Sequence, residues 1–292
     1  MNYIFSYFGK QPDHLSTFFN NVLSIDPNAQ IYFLSDFKFK NQIIKSHHIS
    51  DFPKLLEKKV EINSLLEGSN LVTNPLWSTS LLRVHAINAI AKENNIKEFV
   101  HFDTDVLIYK SFDELQEKNL FRGEKINITP YSHNKLVFGY SFFPNKSTIN
   151  TLENLFDNVF KNYTSFTKKY AIGGALNEMM ILGISRELNS ELFNPLQTLP
   201  YYDKKTIFDP ASYGQYLDGT HLKRGNYIFK RRWVSTSIEV GRELKSKRIT
   251  VKFRNNKPIV IFNNKSFELA NLHVHSKRLK KFLPLKYRTI FN

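Results

Sequence analysis

Cysteine does not occur in this 292-residue chain, which excludes disulfides, thiolate-held metals and thiol catalysis. Nor does any apolar run approach the ~20 residues that a helix needs to cross a bilayer. The opening residues Met1-Asn2-Tyr3-Ile4-Phe5 lack a basic lead and read as a strand rather than a signal peptide. No repeat, low-complexity linker or nucleic-acid-binding module is visible. Acids are scarce, 26 against 41 basic residues, and the net charge is +15. Such a surplus suits nucleic acid, an anionic membrane surface or phosphate-bearing small molecules. Lysines scattered over a solvated face also account for much of it.

What is present points to a large core. With 41% hydrophobic and 14% aromatic residues, the chain can fill one large domain, and any boundary falls near residue 200. Tyr3 to Tyr7 reads as a strand and Phe8-Gly9-Lys10 as a loop. A helix is expected from Pro12, with Leu15, Phe18, Phe19, Val22 and Leu23 on its buried face. Ile31 to Leu34 and Ile43-Ile44 follow as strands, so the chain opens β-α-β-β, the start of an open α/β sheet. Residues 50–78 read as a long loop around a short helix. A helix with Leu82, Ala86, Ala89 and Ile90 inward then leads to a strand at Phe99. Later strands are expected at Ile126 to Ile128 and Val137 to Phe143. Next comes a helix, with Ser147 as its cap, carrying Ile149, Leu152, Leu155, Phe156, Val159 and Phe160. Gly173-Gly174 precede another helix, and a β-hairpin is expected about Asn255-Asn256-Lys257-Pro258.

The strand from Phe99 ends in Asp103-Thr104-Asp105. In an extended chain these two acids share a face about 6.6 Å apart, two steps of about 3.3 Å. Two carboxylates at that spacing suit one hard divalent cation, which also relieves their repulsion. They equally suit a strand ending in a solvated turn. Tyr7-Phe8-Gly9 and Ser35-Asp36 close two other strands, and ligands of open α/β sheets collect at such carboxyl ends.

Near the other end, alternation in Asn271-Leu272-His273-Val274-His275-Ser276-Lys277 puts His273, His275 and Lys277 on one face. This is either a polar strand face or an imidazole that completes a cation's shell beside a lysine for phosphate. Arg83 stands in the helix leading to the acids, as a diphosphate contact or a snorkelling side chain. Glu178 opens a helix after the glycines, as a base or as an acid favoured by the helix dipole. Asp209, Gln215 and Tyr216 lie in a stretch of acid, amide and phenol that suits sugar hydroxyls. The end from Ser276 mixes six cations with apolar residues, which suits either an ordinary packed helix or a membrane surface.

This order of elements resembles the GT-A nucleotide-sugar glycosyltransferases, particularly small enzymes that decorate surface glycans. The matching residues are Arg83, the Asp103-Thr104-Asp105 motif, Gly139, Gly173-Gly174, Asp209-Pro210 through Gly214-Gln215-Tyr216, and His273 through Lys277. The chain departs from the family in having Phe138 where an Asn often precedes the glycine. The resemblance implies an open, twisted, mostly parallel α/β sheet flanked by helices, with a hairpin-containing C-terminal elaboration. It implies one catalytic domain, residues 1–145 binding the nucleotide sugar and 146–292 facing the acceptor. It further implies Mn²⁺ or Mg²⁺ on Asp105 and one imidazole, His275 preferred over His273, with Asp103 on the ribose or a metal-bound water. Tyr7, Phe8, Gly9, Asp36, Arg83 and Thr104 would border the nucleotide, and Lys277 would meet the diphosphate. The implied reaction moves a sugar from a UDP-type donor to a glycan or lipid-linked glycan hydroxyl during surface polysaccharide or lipopolysaccharide synthesis. The setting would be the cytoplasm or the inner face of its membrane, with no nucleic acid involved. Two other readings are a sugar nucleotidyltransferase and a non-catalytic basic protein on nucleic acid or anionic membrane. The first normally needs a glycine-rich basic loop after strand one, and Phe8-Gly9-Lys10-Gln11 is too meagre.

Overall fold

The computed structural model describes residues 1–69, 71, 75–171, 174–201, 204–219 and 238–284. Its first strand, β1 (Asn2–Tyr7), buries Tyr3, Ile4 and Phe5 completely, so both of its faces are covered. The helix α1 (Leu15–Ile25) buries the five apolar residues expected of it, but starts at Leu15 rather than at Pro12. Then come β2 (Gln30–Ser35) and β3 (Lys45–His48). The third strand is therefore later than Ile43-Ile44, whose N–H groups are instead taken by the Asn41 side-chain Oδ1 at 2.8 and 3.2 Å.

The stretch read as a long loop contains α2 (Pro53–Leu66) and the start of α3 (Pro75–Glu93). Only Leu55, Ile62 and Leu66 of α2 are buried, too sparse a stripe to stand out among charged neighbours. By contrast α3 is buried on several faces, with His85 and Asn88 covered as well as Leu82, Ala86 and Ile90, while Ala89 is half-buried. Beyond it lie β4 (Phe99–His101), β5 (Val106–Ile108), α4 (Phe112–Glu117), β6 (Ile126–Ser132) and β7 (Lys135–Phe143). Next is α5 (Lys146–Lys161), capped by Asn145, which accepts the Thr148 N–H, rather than by Ser147. Then follow α6 (Tyr163–Tyr170), α7 (Glu178–Leu188), β8 (Phe193–Pro195), β9 (Thr206–Ile207) and α8 (Tyr213–Asp218). The chain continues through α9 (Glu239–Lys245), β10 (Thr250–Arg254), β11 (Lys257–Phe262), β12 (Lys265–Leu269) and β13 (Asn271–His273).

Seven strands form the central sheet in the order β3-β2-β1-β4-β7-β6-β8, and only β7 runs against the rest. One core lies under α2, α3, α5 and α7, and a second contains α1, α9 and the later strands. The expected open, mostly parallel α/β sheet with flanking helices is what forms. The expected hairpin is β10–β11, turning on Asn255-Asn256, both at positive φ as a two-residue turn demands. A second Asn pair, Asn263-Asn264, turns β11 into β12 in the same way. For the site, one pairing outweighs the others: β13 runs antiparallel to β5, His273 opposite Val106. It brings residues near 273 beside the acids near 105.

Candidate functional site

The two acids are not on an extended strand. Asp103 donates its N–H to the Phe138 carbonyl, and Val106 donates back to the Asp103 carbonyl at 3.0 Å, so residues 103–106 form a turn between β4 and β5. The turn gives the carboxylates different main partners, although Asp103 Oδ2 also lies 3.8 Å from His273 Nε2. Asp103 pairs with the Arg83 guanidinium, which lies 3.4 Å from Glu178 Oε2 and 5.7 Å over the Phe138 ring. Asp105 is buried, with Oδ1 3.0 Å from His273 Nε2 and Oδ2 against Lys277 Nζ.

The late segment is not extended throughout either. After His273 the chain turns, Lys277 donating to the Val274 carbonyl at 2.8 Å with φ of 62°. This stacks the imidazoles of His273 and His275, with centroids 4.3 Å apart. One donor atom each from Asp105, His273 and His275 then lies within 4.8 Å of the others. A carboxylate with two imidazoles is an oxygen and nitrogen donor set that suits a first-row divalent ion. Both histidines belong to this group, so the preference for one over the other finds no geometric basis.

The electrostatics follow from burial and crowding. Burial acts to raise the Asp105 carboxyl, but His273 and Lys277 outweigh it and hold it well below the usual carboxylate range. Burial acts to lower the His273 imidazole, and Asp105 reverses that, raising it. Glu178 goes the other way: burial lifts its carboxyl to about 8 against the pull of Arg83, with Asp103 adding to the rise. Its Oε1 has no hydrogen-bond partner among the described residues.

A cleft of about 570 Å³ joins these groups, opening at the carboxyl ends of β1 and β4. Its walls include Tyr7, Phe8, Gly9, Arg83, Asp103, Thr104, Asp105, Glu178, Gln215, His273, His275 and Lys277. Asp36 does not line the cleft but accepts the Gly9 N–H at 2.7 Å and so holds the loop after β1. Asp209 and Tyr216 are not wall residues. Asp209 is fully buried and accepts the N–H groups of Ser212, Tyr213, Gly214 and His273, which leaves no lone pair for a sugar. Gly174 is described and Gly173 lies outside the described residues.

Two histidines escaped the sequence reading. His101, on the cleft wall, donates from Nδ1 to the Ile4 carbonyl, and burial followed by the Arg83 charge lowers its pKa to about 3. His14 precedes α1, and burial followed by Lys277 lowers it to about 4. Periodicity marks neither, because His101 is part of an all-buried strand and His14 stands outside a helix. Three of the four described C-terminal cations are paired, Lys277 with Asp105 as above. Arg278 and Lys281 pair with Asp218, while Leu279 and Phe282 are buried, so this part is packed structure. Lys286 and Arg288 lie outside the described residues. Among the described residues no helix is long and apolar enough to cross a membrane.

No protein-family model matches this sequence, and neither does any curated protein. Solved structures do. Mouse xyloside xylosyltransferase 1 in its apo form is 15% identical with a TM-score of 0.44, covering 68% of this chain and 86% of that one. The galactosyltransferase LgtC, in complex with donor and acceptor sugar analogs, is 11% identical with a TM-score of 0.41, covering 80% and 82%. The glycosyltransferase GlyE of Streptococcus pneumoniae TIGR4 is 14% identical with a TM-score of 0.39, covering 73% of this chain and 47% of that one. These likenesses are distant, and nothing about donor or acceptor passes from them to this chain.

Proposed function

We propose that this chain is a metal-dependent glycosyltransferase that moves a sugar from a nucleoside diphosphate, UDP favoured, to a hydroxyl of a glycan or lipid-linked glycan. The observation that carries the reading is the meeting of Asp105, His273, His275 and Lys277 in a cleft at the strands' carboxyl ends. Asp105, His273 and His275 would hold the cation, Mn²⁺ suiting two imidazoles better than Mg²⁺, and when bound it supplies positive charge against the leaving diphosphate.

The chain's own residues do the rest. Lys277 adds a second positive charge where the phosphates leave. Arg83 fixes the Asp103 carboxylate, which is then oriented to accept from a ribose hydroxyl. Tyr7, Phe8 and Gly9 give the nucleotide an apolar wall, which Asp36 steadies through the Gly9 N–H. Gln215 offers a buried amide to a sugar hydroxyl, its Oε1 having no partner among the described residues. In an inverting transfer, the ionised form of Glu178 takes the proton of the attacking hydroxyl as the glycosidic bond to the diphosphate breaks. With its carboxyl lifted to about 8, that form is the minority at neutral pH, so turnover by this route rises with pH up to about 8. In a retaining transfer the same carboxyl positions the sugar. Residues 1–145 supply the nucleotide-sugar half and the later part of the chain the acceptor side, with His273, His275 and Lys277 of the C-terminal elaboration reaching back to the donor's phosphates, one catalytic unit at the cytoplasmic face of surface glycan synthesis.

Mn²⁺ with UDP tests this directly. Binding at a hundredfold excess over Kd adds about 2.7 kcal/mol to folding stability, visible as a metal-dependent rise in Tm. Equal Tm with and without Mn²⁺ plus UDP, together with steeply salt-dependent binding of polyanions, would instead identify a non-catalytic polyanion binder.

A further inference from the structure

The six-residue helix α8 touches the imidazole segment at both ends. At its start, Asp209 Oδ1 accepts the N–H groups of Ser212, which precedes the helix, and of Tyr213, its first residue, at 2.7 and 2.9 Å, closing the turn that leads into α8. Oδ2 does something that turn does not require: besides Gly214 N–H it takes the His273 N–H, 2.9 Å away on another strand. At the end of α8, Asp218 accepts from Ser276 Oγ at 2.6 Å and Arg278 Nε at 2.8 Å, and pairs with Lys281. An acid in the last turn opposes the helix dipole, so Asp218 is poorly placed to serve α8 itself. Its partners are all downstream of His275. Gly214 completes the fit, because a Cβ there would collide with the His273 carbonyl.

We propose that α8 is a bracket for the cation site, with Asp209 and Asp218 as positioning residues. Asp209 pins the backbone at His273 and Asp218 holds the Ser276 hydroxyl, and so they fix the stacked imidazoles and the turn that carries Lys277. The proposal rests on the cation reading above. The physical need is strict, since ligand atoms must be held to about 0.2 Å for a metal site to form. His273 is also held from its other side, where Val274 donates to the Asp105 carbonyl at 2.8 Å.

Asp218→Asn, Ser276→Ala and Asp209→Asn test it, with two readouts on the full chain. One is the Kd for Mn²⁺ alone, read from the electron paramagnetic resonance of free Mn²⁺. The other is the ring-proton shifts of His273 and His275 in the metal-free protein, which the stacked geometry displaces. Asp218→Asn is expected to weaken Mn²⁺ roughly tenfold or more, the scale for groups that orient ligands. It should also collapse the ring-shift displacement, and Ser276→Ala should move both in the same direction by less. Glu153→Gln, remote from the cleft, should lower Tm and leave Kd and shifts alone. Unchanged Kd and shifts in folded Asp218→Asn and Ser276→Ala would overturn the bracket, and these two decide if Asp209→Asn does not fold. A wild-type chain that ignores Mn²⁺ overturns the cation reading instead, while the ring shifts still judge the bracket.

Discussion

Glu178 opens α7 beside Arg83, and burial has lifted its carboxyl from 4.5 to about 8. A folded pKa above the unfolded one means that the folded state binds the extra proton between those values. Its contribution is therefore complete below about pH 4.5 and lost as pH rises through about 8. Glu178→Gln should flatten the fall in stability between pH 5 and 8, by at most on the order of 4 kcal/mol. Urea unfolding at pH 5, 7 and 9 checks it, and an unchanged slope would mean that Glu178 is not protonated there. Asp105 is the opposite case, ionised and held by His273 and Lys277. Asp105→Asn should cut turnover on the order of a hundredfold and abolish Mn²⁺ binding while leaving the fold intact. Turnover equal to wild type would remove Asp105 from the chemistry. The residue types of the site were legible in the sequence, as were the two segments that carry them. Their conformation was not, because alternation describes only extended chain, and both 103–106 and 274–277 are turns. Asp209 was misassigned for a related reason: an acid beside a proline looks exposed, and only the fold reveals four N–H groups converging on it.

At the scale of elements, legibility followed how dense the apolar stripe is. α1 and α5 each place several large side chains on one face, whereas α2 buries only Leu55, Ile62 and Leu66 and reads as loop. The packing of α5 on α3 adds a polar clasp that periodicity cannot show. Glu153 receives His85 at 3.3 Å, Asn88 at 2.5 Å and Lys92 at 2.9 Å. Burial acts to raise the Glu153 carboxyl, but hydrogen bonds from His85 and Lys92 bring it down to about 2. This stability is present above the ordinary 4.5 and is lost as pH falls through about 2. Glu153→Gln should thus cost about 2 kcal/mol at pH 7, after allowance for partial exposure, and little at pH 2. Thermal melts at the two pH values decide it, and equal losses at both would rule out the charge. Gly183 in α7 sets two effects against each other. Alanine favours a helix interior by about 1 kcal/mol, but its Cβ would run into the Asn134 carbonyl of the β6–β7 turn. Overpacking against backbone costs about 1–3 kcal/mol, so the clash should win. Gly183→Ala is expected to lower Tm and, by shifting α7, to move Glu178 and reduce kcat more than KM changes. A raised Tm would show that α7 has room to spare.

Across the whole molecule, the cleft depends on one short pairing between distant parts of the chain. Residues 106–108 meet 271–273 in a two-stranded sheet that sits apart from the seven-stranded one. The ladder is short, but all six of its residues are buried in the core, so any opening that parts these strands also exposes apolar surface. Asp105 precedes one of these strands and His273 ends the other, so a cation held by both closes the same gap that the backbone bonds close. It follows that Mn²⁺ should slow amide exchange in β5 and β13 well beyond its effect on β2 and β3, which lie at the far edge of the main sheet. The gain there is bounded by the binding free energy, about 2.7 kcal/mol at a hundredfold excess over Kd, or about a hundredfold in exchange rate. A chelator should reverse it. Protection spread evenly over both sheets would mean that the ion stabilises the fold without bridging these strands, and the two halves of the site would then be joined by the backbone pairing and by the contacts of Asp105 with His273 and Lys277, without help from the ion.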